Sequence, residues 1–122
     1  MANPELLITQ QSLNQGDCTL LAPADPLTLI TMFPFRDAIQ ADAAPTTLVD
    51  FGKVPYVDSA GAGILVNAYV SRKRQGRKFA LIGVAPRVKE LLRITKIDSL
   101  FQIYDSVDEA ETELRVLDAA AG

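Results

Sequence analysis

The chain has 122 residues, of which 48% are hydrophobic and 22% charged, with a formal net charge of −3. This length supports one domain with its own core, and the acidic balance lacks the basic footprint that nucleic-acid-binding proteins usually show. The sequence has no histidine and one cysteine, which excludes a Ser-His-Asp or Cys-His catalytic apparatus built from this chain and disfavours a zinc site. Composition therefore favours a binding or regulatory protein over an enzyme, with no cofactor and no metal.

The termini and the cysteine count predict where the protein works. The first ten residues, MANPELLITQ, have neither the basic start nor the continuous apolar segment of a signal peptide. The apolar runs elsewhere fall far below the roughly 20 residues that span a bilayer. A single cysteine, Cys18, rules out an internal disulfide and fits a reducing compartment. We therefore expect a cytoplasmic protein without membrane insertion.

The first third of the chain predicts a hairpin and a helix. Strand-like runs at 5–13 and 18–23 flank the turn residues 14–17. The apolar residues of 27–40 fit a helix better than a strand. Because Pro34 would break a helix interior, we expect the regular helix to begin near it, with Pro34 in the first turn.

The middle of the chain predicts a buried strand, a tight connection and a second helix. Segment 46–51 is rich in strand-forming residues, and Asp58 or Ser59 is the natural N-cap of the helix that follows. The basic run 72–74 just before Gly76 is typical of a helix end. We interpret the basic residues Arg72, Lys73, Arg74, Arg77 and Lys78 as a solvated helix end, with contact to an acidic partner surface as the alternative.

The last third continues the alternation of strands and helices. Segment 78–84 is a near-continuous apolar strand, as expected for a strand covered on both faces. Pro86 opens a helix at its first position. A short strand at 99–104 and a helix from about 105 to 117 follow, and residues 118–122 form a tail.

This order predicts one α/β domain over residues 1–122, with its core at about 5–117. Strand–helix–strand units with short connections imply right-handed crossovers and a largely parallel sheet. Functional loops of such a sheet lie at the carboxyl ends of its strands. Asp25, Asp58 and Ser59 all follow strands.

The sequence Asp58-Ser59-Ala60-Gly61 at the helix start has two interpretations. A helix N-terminus presents unpaired N–H groups and a partial positive charge, so a phosphate on Ser59 would be stabilised there. Asp58 is then a cap or an acidic group that helps to position a kinase partner's magnesium nucleotide, and the small residues allow a partner to approach. The alternative is helix capping and close packing alone, which local spacing favours.

The helix after Ser59 is apolar around most of its circumference, which is more than one sheet-covering face requires. We expect the surplus to form a docking surface for a second protein. The residues of this predicted docking helix are Gly63, Val66, Asn67 and Tyr69.

Segment 49–61, VDFGKVPYVDSAG, resembles the signature of the STAS domain, in which an Asp at a strand end is followed eight residues later by Asp-Ser-Ser/Ala-Gly. Here Asp50 precedes Asp58 by that eight-residue step. The resemblance extends over about 46–117. Upstream, the family's Gly-x-Leu-Asp is replaced by APAD, which ends at Asp25 and keeps only the aspartate.

The resemblance implies a single STAS domain with a mixed sheet of four or five strands and flanking helices. Its stand-alone relatives are bacterial anti-sigma factor antagonists, whose serine matching Ser59 is phosphorylated by an anti-sigma factor that is a serine kinase of the GHKL ATPase type. The unphosphorylated form binds that kinase and releases a sigma factor, and a phosphatase resets the cycle. Carried over, Ser59 is the phospho-acceptor, and Asp58, Asp25, Ala60 and Gly61 are candidate partner or nucleotide contacts.

Three functions stay open on the sequence. The leading hypothesis is a partner-switching regulator of transcription, which is a kinase substrate and not an enzyme. The second is a scaffold subunit of a stressosome-like complex or of a phospholipid-transport ABC system, where the domain clamps an ATPase. The third is direct nucleotide binding, which no P-loop pattern supports.

Overall fold

The structure, a computed structural model, describes residues 8–121, with side chains described as far as residue 114. Strands and helices alternate after an opening hairpin. In chain order they are β1 (Ile8–Leu13), β2 (Cys18–Pro23), α1 (Met32–Ala41), β3 (Thr46–Asp50), α2 (Ser59–Arg74), β4 (Lys78–Ile82), α3 (Pro86–Ile94), β5 (Gln102–Tyr104) and α4 (Val107–Ala121). Short 3-10 turns occupy Asn14–Gly16 and Asp98–Leu100.

The strands form one mixed sheet in the order β1-β2-β3-β4-β5. The β1–β2 pair is antiparallel, and each later neighbour pair is parallel. Because the spatial order equals the chain order, the helices α1, α2 and α3 each connect neighbouring parallel strands, as short right-handed crossovers require. The predicted α/β fold with a largely parallel, mixed sheet is confirmed.

Side-chain alternation along the central strands divides the core in two. Leu21, Val49 and Leu81 point to the face where buried residues of α1, α2 and α3 pack. Leu48 and Ala80 point to the opposite face. There they meet Ala110 and Leu114 of α4, together with Cys18 and Ile82. The sheet is therefore a middle layer, which explains why β4 reads as a continuous apolar run.

Several element boundaries follow from local chemistry. Pro34 is the third residue of α1, within its first turn as predicted, and Pro86 is the first residue of α3. The last strand is shorter than the predicted 99–104, because Ser99 and Leu100 belong to a 3-10 turn. The final helix continues past residue 117 to Ala121, and residues 5–7 of the predicted first strand lie outside the described residues.

Within the described part of the chain, no helix combines the length and the hydropathy that a bilayer span requires.

Candidate functional site

Helix α2 begins at the predicted position, with Asp58 as its N-cap. The Asp58 backbone is extended, and its Oδ1 accepts a hydrogen bond of 2.8 Å from the Gly61 N–H. Ser59 is exposed, and none of the described side chains hydrogen-bonds to its hydroxyl. The serine Oγ is thus accessible at the positive end of a 16-residue helix.

The eight-residue step from Asp50 to Asp58 corresponds to a loop held down by apolar anchors. Val54 and Val57 are fully buried in the core beneath it. At its start, Asp50 Oδ1 accepts a 2.8 Å hydrogen bond from the Gly52 N–H. The loop that follows β3 therefore places Asp58 and Ser59 at the carboxyl edge of the sheet.

The second oxygen of Asp58 holds another loop, the one between β2 and α1. Asp58 Oδ2 accepts a 3.0 Å hydrogen bond from the Leu29 N–H. The Asp58 N–H donates to the Leu27 carbonyl at 3.1 Å, and the Leu27 N–H donates to the Tyr56 carbonyl at 3.0 Å. One carboxylate thus caps α2 and fastens the preceding loop to it. Sequence reasoning missed this contact because its partners are 29 residues apart.

Large apolar side chains are exposed in the β2–α1 loop and in the first turn of α1. Leu29 is 63% exposed, Ile30 64% and Phe33 47%; we name these three residues the apolar tip. The sequence assigned 27–40 to a helix with its regular part near Pro34, and residues 27–31 instead form a loop. Thr31 braces this loop from within, since its Oγ1 donates to the Pro26 carbonyl at 2.7 Å and accepts from the Thr28 N–H at 2.9 Å.

The two glycines near the start of α2 have different surroundings. Gly61 is buried, and a Cβ there would overlap the Leu27 carbonyl oxygen and lie 2.8 Å from the carbonyl carbon. Its small size is therefore explained by close packing within the chain. A Cβ at Gly63 would meet no heavy atom of the described residues within 4 Å. Ala60 is half-buried between Ser59 and Gly61.

The predicted docking helix is less apolar on its exposed side than the sequence suggested. Val66 and Tyr69 are half-buried and pack against the core, where the Tyr69 ring meets Phe101 edge-on at a centroid distance of 5.7 Å. Gly63 and Asn67 are exposed, and with Ser59 they follow each other at four-residue steps along one helix face. Large apolar side chains are more exposed in the apolar tip and at Tyr56.

Asp25 follows β2 by two residues and is half-buried. It precedes by two residues Leu27, which forms a parallel bridge with Val57. The structure therefore places Asp25 and Asp58 in neighbouring segments at the same edge of the sheet.

The basic end of α2 differs from its prediction. Arg72 is 2% exposed, and its guanidinium donates to Thr47 Oγ1 at 2.6 Å, to the Ile39 carbonyl at 2.7 Å and to Asp42 Oδ2 at 3.2 Å. The interpretation of this residue as solvated was wrong, and so was that of Arg77, which is half-buried and donates to the Ala44 and Asp42 carbonyls. Lys73 and Arg74 are exposed. Arg72 shares a helix face with the buried Leu65 and Ala68, a signal that could have revealed it.

Asp42 is the buried anion of this cluster. Burial by itself raises the pKa of the Asp42 carboxyl. Hydrogen bonds from the Thr47 and Thr19 hydroxyls and the Ala44 N–H, together with the charge of Arg72, outweigh burial and leave that pKa below its ordinary value. The carboxylate is therefore ionised at neutral pH and ties α1, β2, β3 and α2 together.

Comparisons with known proteins agree with this architecture. The STAS domain family model matches residues 11–110. The anti-sigma-B factor antagonist of Listeria monocytogenes is 31% identical over 101 residues, which cover 83% of this chain and 89% of that protein. A Thermotoga maritima protein classed as an anti-sigma factor antagonist is 36% identical over 62 residues.

The Thermotoga match covers 51% of this chain and only 55% of the relative, so the chain matches little more than half the length of that protein. Solved structures cover more. The crystal structure of a Thermotoga maritima protein of the same description gives a TM-score of 0.81 at 24% identity and covers 88% of this chain and 94% of that one. The structure of the Bacillus protein SpoIIAA in its phosphorylated form gives a TM-score of 0.68 at 12% identity and covers 88% of this chain and 99% of that one.

The family model covers most of the chain, and the Listeria relative is matched over nearly its whole length. The sheet order, the capped helix and the eight-residue step from Asp50 to Asp58 are the structural counterparts of that match. The chain belongs to the STAS domain family, in the group of anti-sigma factor antagonists.

Proposed function

We propose that this chain regulates transcription by partner switching and has no catalytic activity of its own. The unphosphorylated form binds an anti-sigma factor of the GHKL serine-kinase type and releases a sigma factor in the cytoplasm. Phosphorylation of Ser59 blocks that binding, and a phosphatase restores it. The observation that supports this proposal most is the exposed Ser59 hydroxyl at the N-terminus of α2, with no hydrogen-bond partner among the described side chains.

The position of Ser59 suits phosphoryl transfer. Its Oγ forms the new bond to the γ-phosphorus of the kinase-bound ATP, the bond to the β-phosphate oxygen breaks, and ADP leaves. The hydroxyl proton passes to a base of the kinase. Both carboxylate oxygens of Asp58 already accept hydrogen bonds from this chain, which argues that Asp58 positions the serine and does not take its proton.

The fold can carry the phosphate without unfolding. The group adds a charge of about −1.5 to −2 at neutral pH, and the partial positive charge at a helix N-terminus stabilises it. Ser59 is exposed, so the phosphate needs no cavity. SpoIIAA, which shares this fold, has been solved in unphosphorylated and phosphorylated forms. The switch therefore acts on binding through charge at the docking surface.

Phosphate mapping tests this proposal. The chain is incubated with a candidate anti-sigma kinase and Mg-ATP, and its peptides are analysed by mass spectrometry. We expect one phosphate on Ser59 in the native chain and none in Ser59→Ala. Ser71, which is exposed near the other end of the same helix, gives a matched control: Ser71→Ala should be phosphorylated normally. Phosphate elsewhere with Ser59 unmodified would contradict the proposal.

A further inference from the structure

We propose that the apolar tip is part of the surface that docks the kinase partner, and that the Asp58 carboxylate is the positioning group that holds this tip beside Ser59. The inference rests on the proposed function, since its occupant is the same anti-sigma kinase. The surface it fits on that kinase is an uncharged apolar patch next to the site that receives Ser59.

The exposure of the tip is the first observation. Leu29, Ile30 and Phe33 are about half exposed or more and lie within five residues of one another. The Arg36 guanidinium lies over the Phe33 ring, 4.8 Å from the ring centroid. A cluster of large exposed apolar side chains marks an interaction surface more often than isolated ones do.

The charge pattern defines the occupant. The ten residues 26–35, PLTLITMFPF, carry no charged side chain. A partner that buried this segment against a charged surface would leave its own charges desolvated without counterparts. The complementary surface is therefore apolar, and the polar contacts of the complex fall at Ser59 and Asp58.

The geometry gives the link between the tip and the serine. The Leu29 N–H lies 3.0 Å from Asp58 Oδ2, and Asp58 directly precedes Ser59. A kinase that brings ATP to the Ser59 hydroxyl therefore approaches the backbone segment that carries the tip. A phosphate on Ser59 would place like charge next to the carboxylate that holds the Leu29 amide, so the modification acts on the tip as well as on the serine.

Paired serine substitutions test the contact. We compare the affinity of a cognate GHKL anti-sigma kinase, bound to ADP, for the native chain and for the double variant Leu29→Ser/Ile30→Ser. Ile94→Ser is the matched control, because Ile94 is 63% exposed at the end of α3. We expect binding at least tenfold weaker for the double variant and changed less than twofold for the control, with unchanged melting temperatures.

Asp58→Asn tests the positioning role separately. An asparagine still caps a helix, but an NH2 group, which is a donor, replaces one of the two carboxylate oxygens. The Gly61 and Leu29 N–H groups bond to different oxygens of Asp58, so in this geometry one of the two hydrogen bonds is lost. We expect faster hydrogen exchange at the Leu29 amide and weaker kinase binding, with little change in melting temperature.

The outcomes separate this inference from the proposed function. Native affinity in the double variant, or unchanged Leu29 exchange in Asp58→Asn, would overturn the inference while phosphorylation of Ser59 left the proposed function intact. A kinase panel that neither binds nor phosphorylates the native chain would overturn both.

Discussion

The two ends of helix α2 use charged side chains in opposite ways. At the N-terminus, Asp58 lies half-buried beside an exposed serine, and its hydrogen bonds go to backbone N–H groups. At the C-terminus, Arg72 is sealed inside the protein, where it meets Asp42 and Thr47. The first arrangement leaves a reactive hydroxyl accessible, whereas the second joins three elements.

This difference shows that a charge near a helix end has no fixed role. Each end satisfies the same capping preference, with an acidic residue at the start and basic residues in the last turn. Burial decides what else the side chain does. We expect changes in the buried cluster at the C-terminal end to alter stability without altering recognition, and changes to the exposed side chains at the N-terminal end to do the reverse.

The largest expected effect is the loss of Arg72. Arg72→Ala leaves the Asp42 carboxylate buried without its main cation, and breaking a buried pair in this way costs about 3–5 kcal/mol of unfolding free energy. Urea denaturation measures it. Arg74→Ala, at an exposed position two residues later, should change stability by no more than about 0.5 kcal/mol. Equal losses in the two variants would mean that the buried cluster does not stabilise the fold.

A smaller effect is expected at the start of the helix. Gly61→Ala forces a methyl group against the Leu27 carbonyl, which should cost about 1–3 kcal/mol through overpacking. Gly63→Ala is the matched control, because its Cβ enters open space and alanine is favoured over glycine in a helix by up to about 1 kcal/mol. Thermal melting should move in opposite directions for the two variants. A stabilised Gly61→Ala would show that the close approach to Leu27 can relax.

The pH dependence of stability should report on Asp42. Its pKa is lower in the folded state than the ordinary value of about 3.9, so its contribution is present above about pH 4 and is lost as the pH falls through the folded pKa. Urea denaturation between pH 7 and pH 3 measures this loss. Asp42→Asn should be less stable at neutral pH and show a weaker acid dependence. An identical dependence in that variant would assign the acid sensitivity to other carboxylates.

The sequence predicted the parts of the fold that local chemistry decides. The hairpin follows from two strand-like runs around a short turn. Single-residue preferences place Pro34 in the first turn of α1, Pro86 at the start of α3 and a cap at Asp58. The eight-residue step from Asp50 to Asp58 identified Ser59 as the predicted phospho-acceptor. These features needed no information from distant parts of the chain.

The contacts that the sequence did not predict join residues far apart in the chain. Arg72 pairs with Asp42, 30 residues earlier, and the Asp58 carboxylate binds an amide 29 residues earlier. The sequence did not reveal that the apolar tip is exposed, because exposed and buried apolar residues look alike in a sequence. The structure shows where Ser59, Asp25 and the exposed residues of the docking helix lie. Their roles stay predictions.

The central claim is that charge at Ser59 controls binding while the buried cluster at the other end of α2 keeps the fold intact. Calorimetry on the chain before and after stoichiometric phosphorylation at Ser59 tests it most directly, by measuring the affinity for the anti-sigma kinase and the melting temperature on the same samples. We predict at least a tenfold loss of affinity with a shift in melting temperature of only a few degrees. Unchanged affinity, or a phosphorylated chain that no longer folds, would contradict the account.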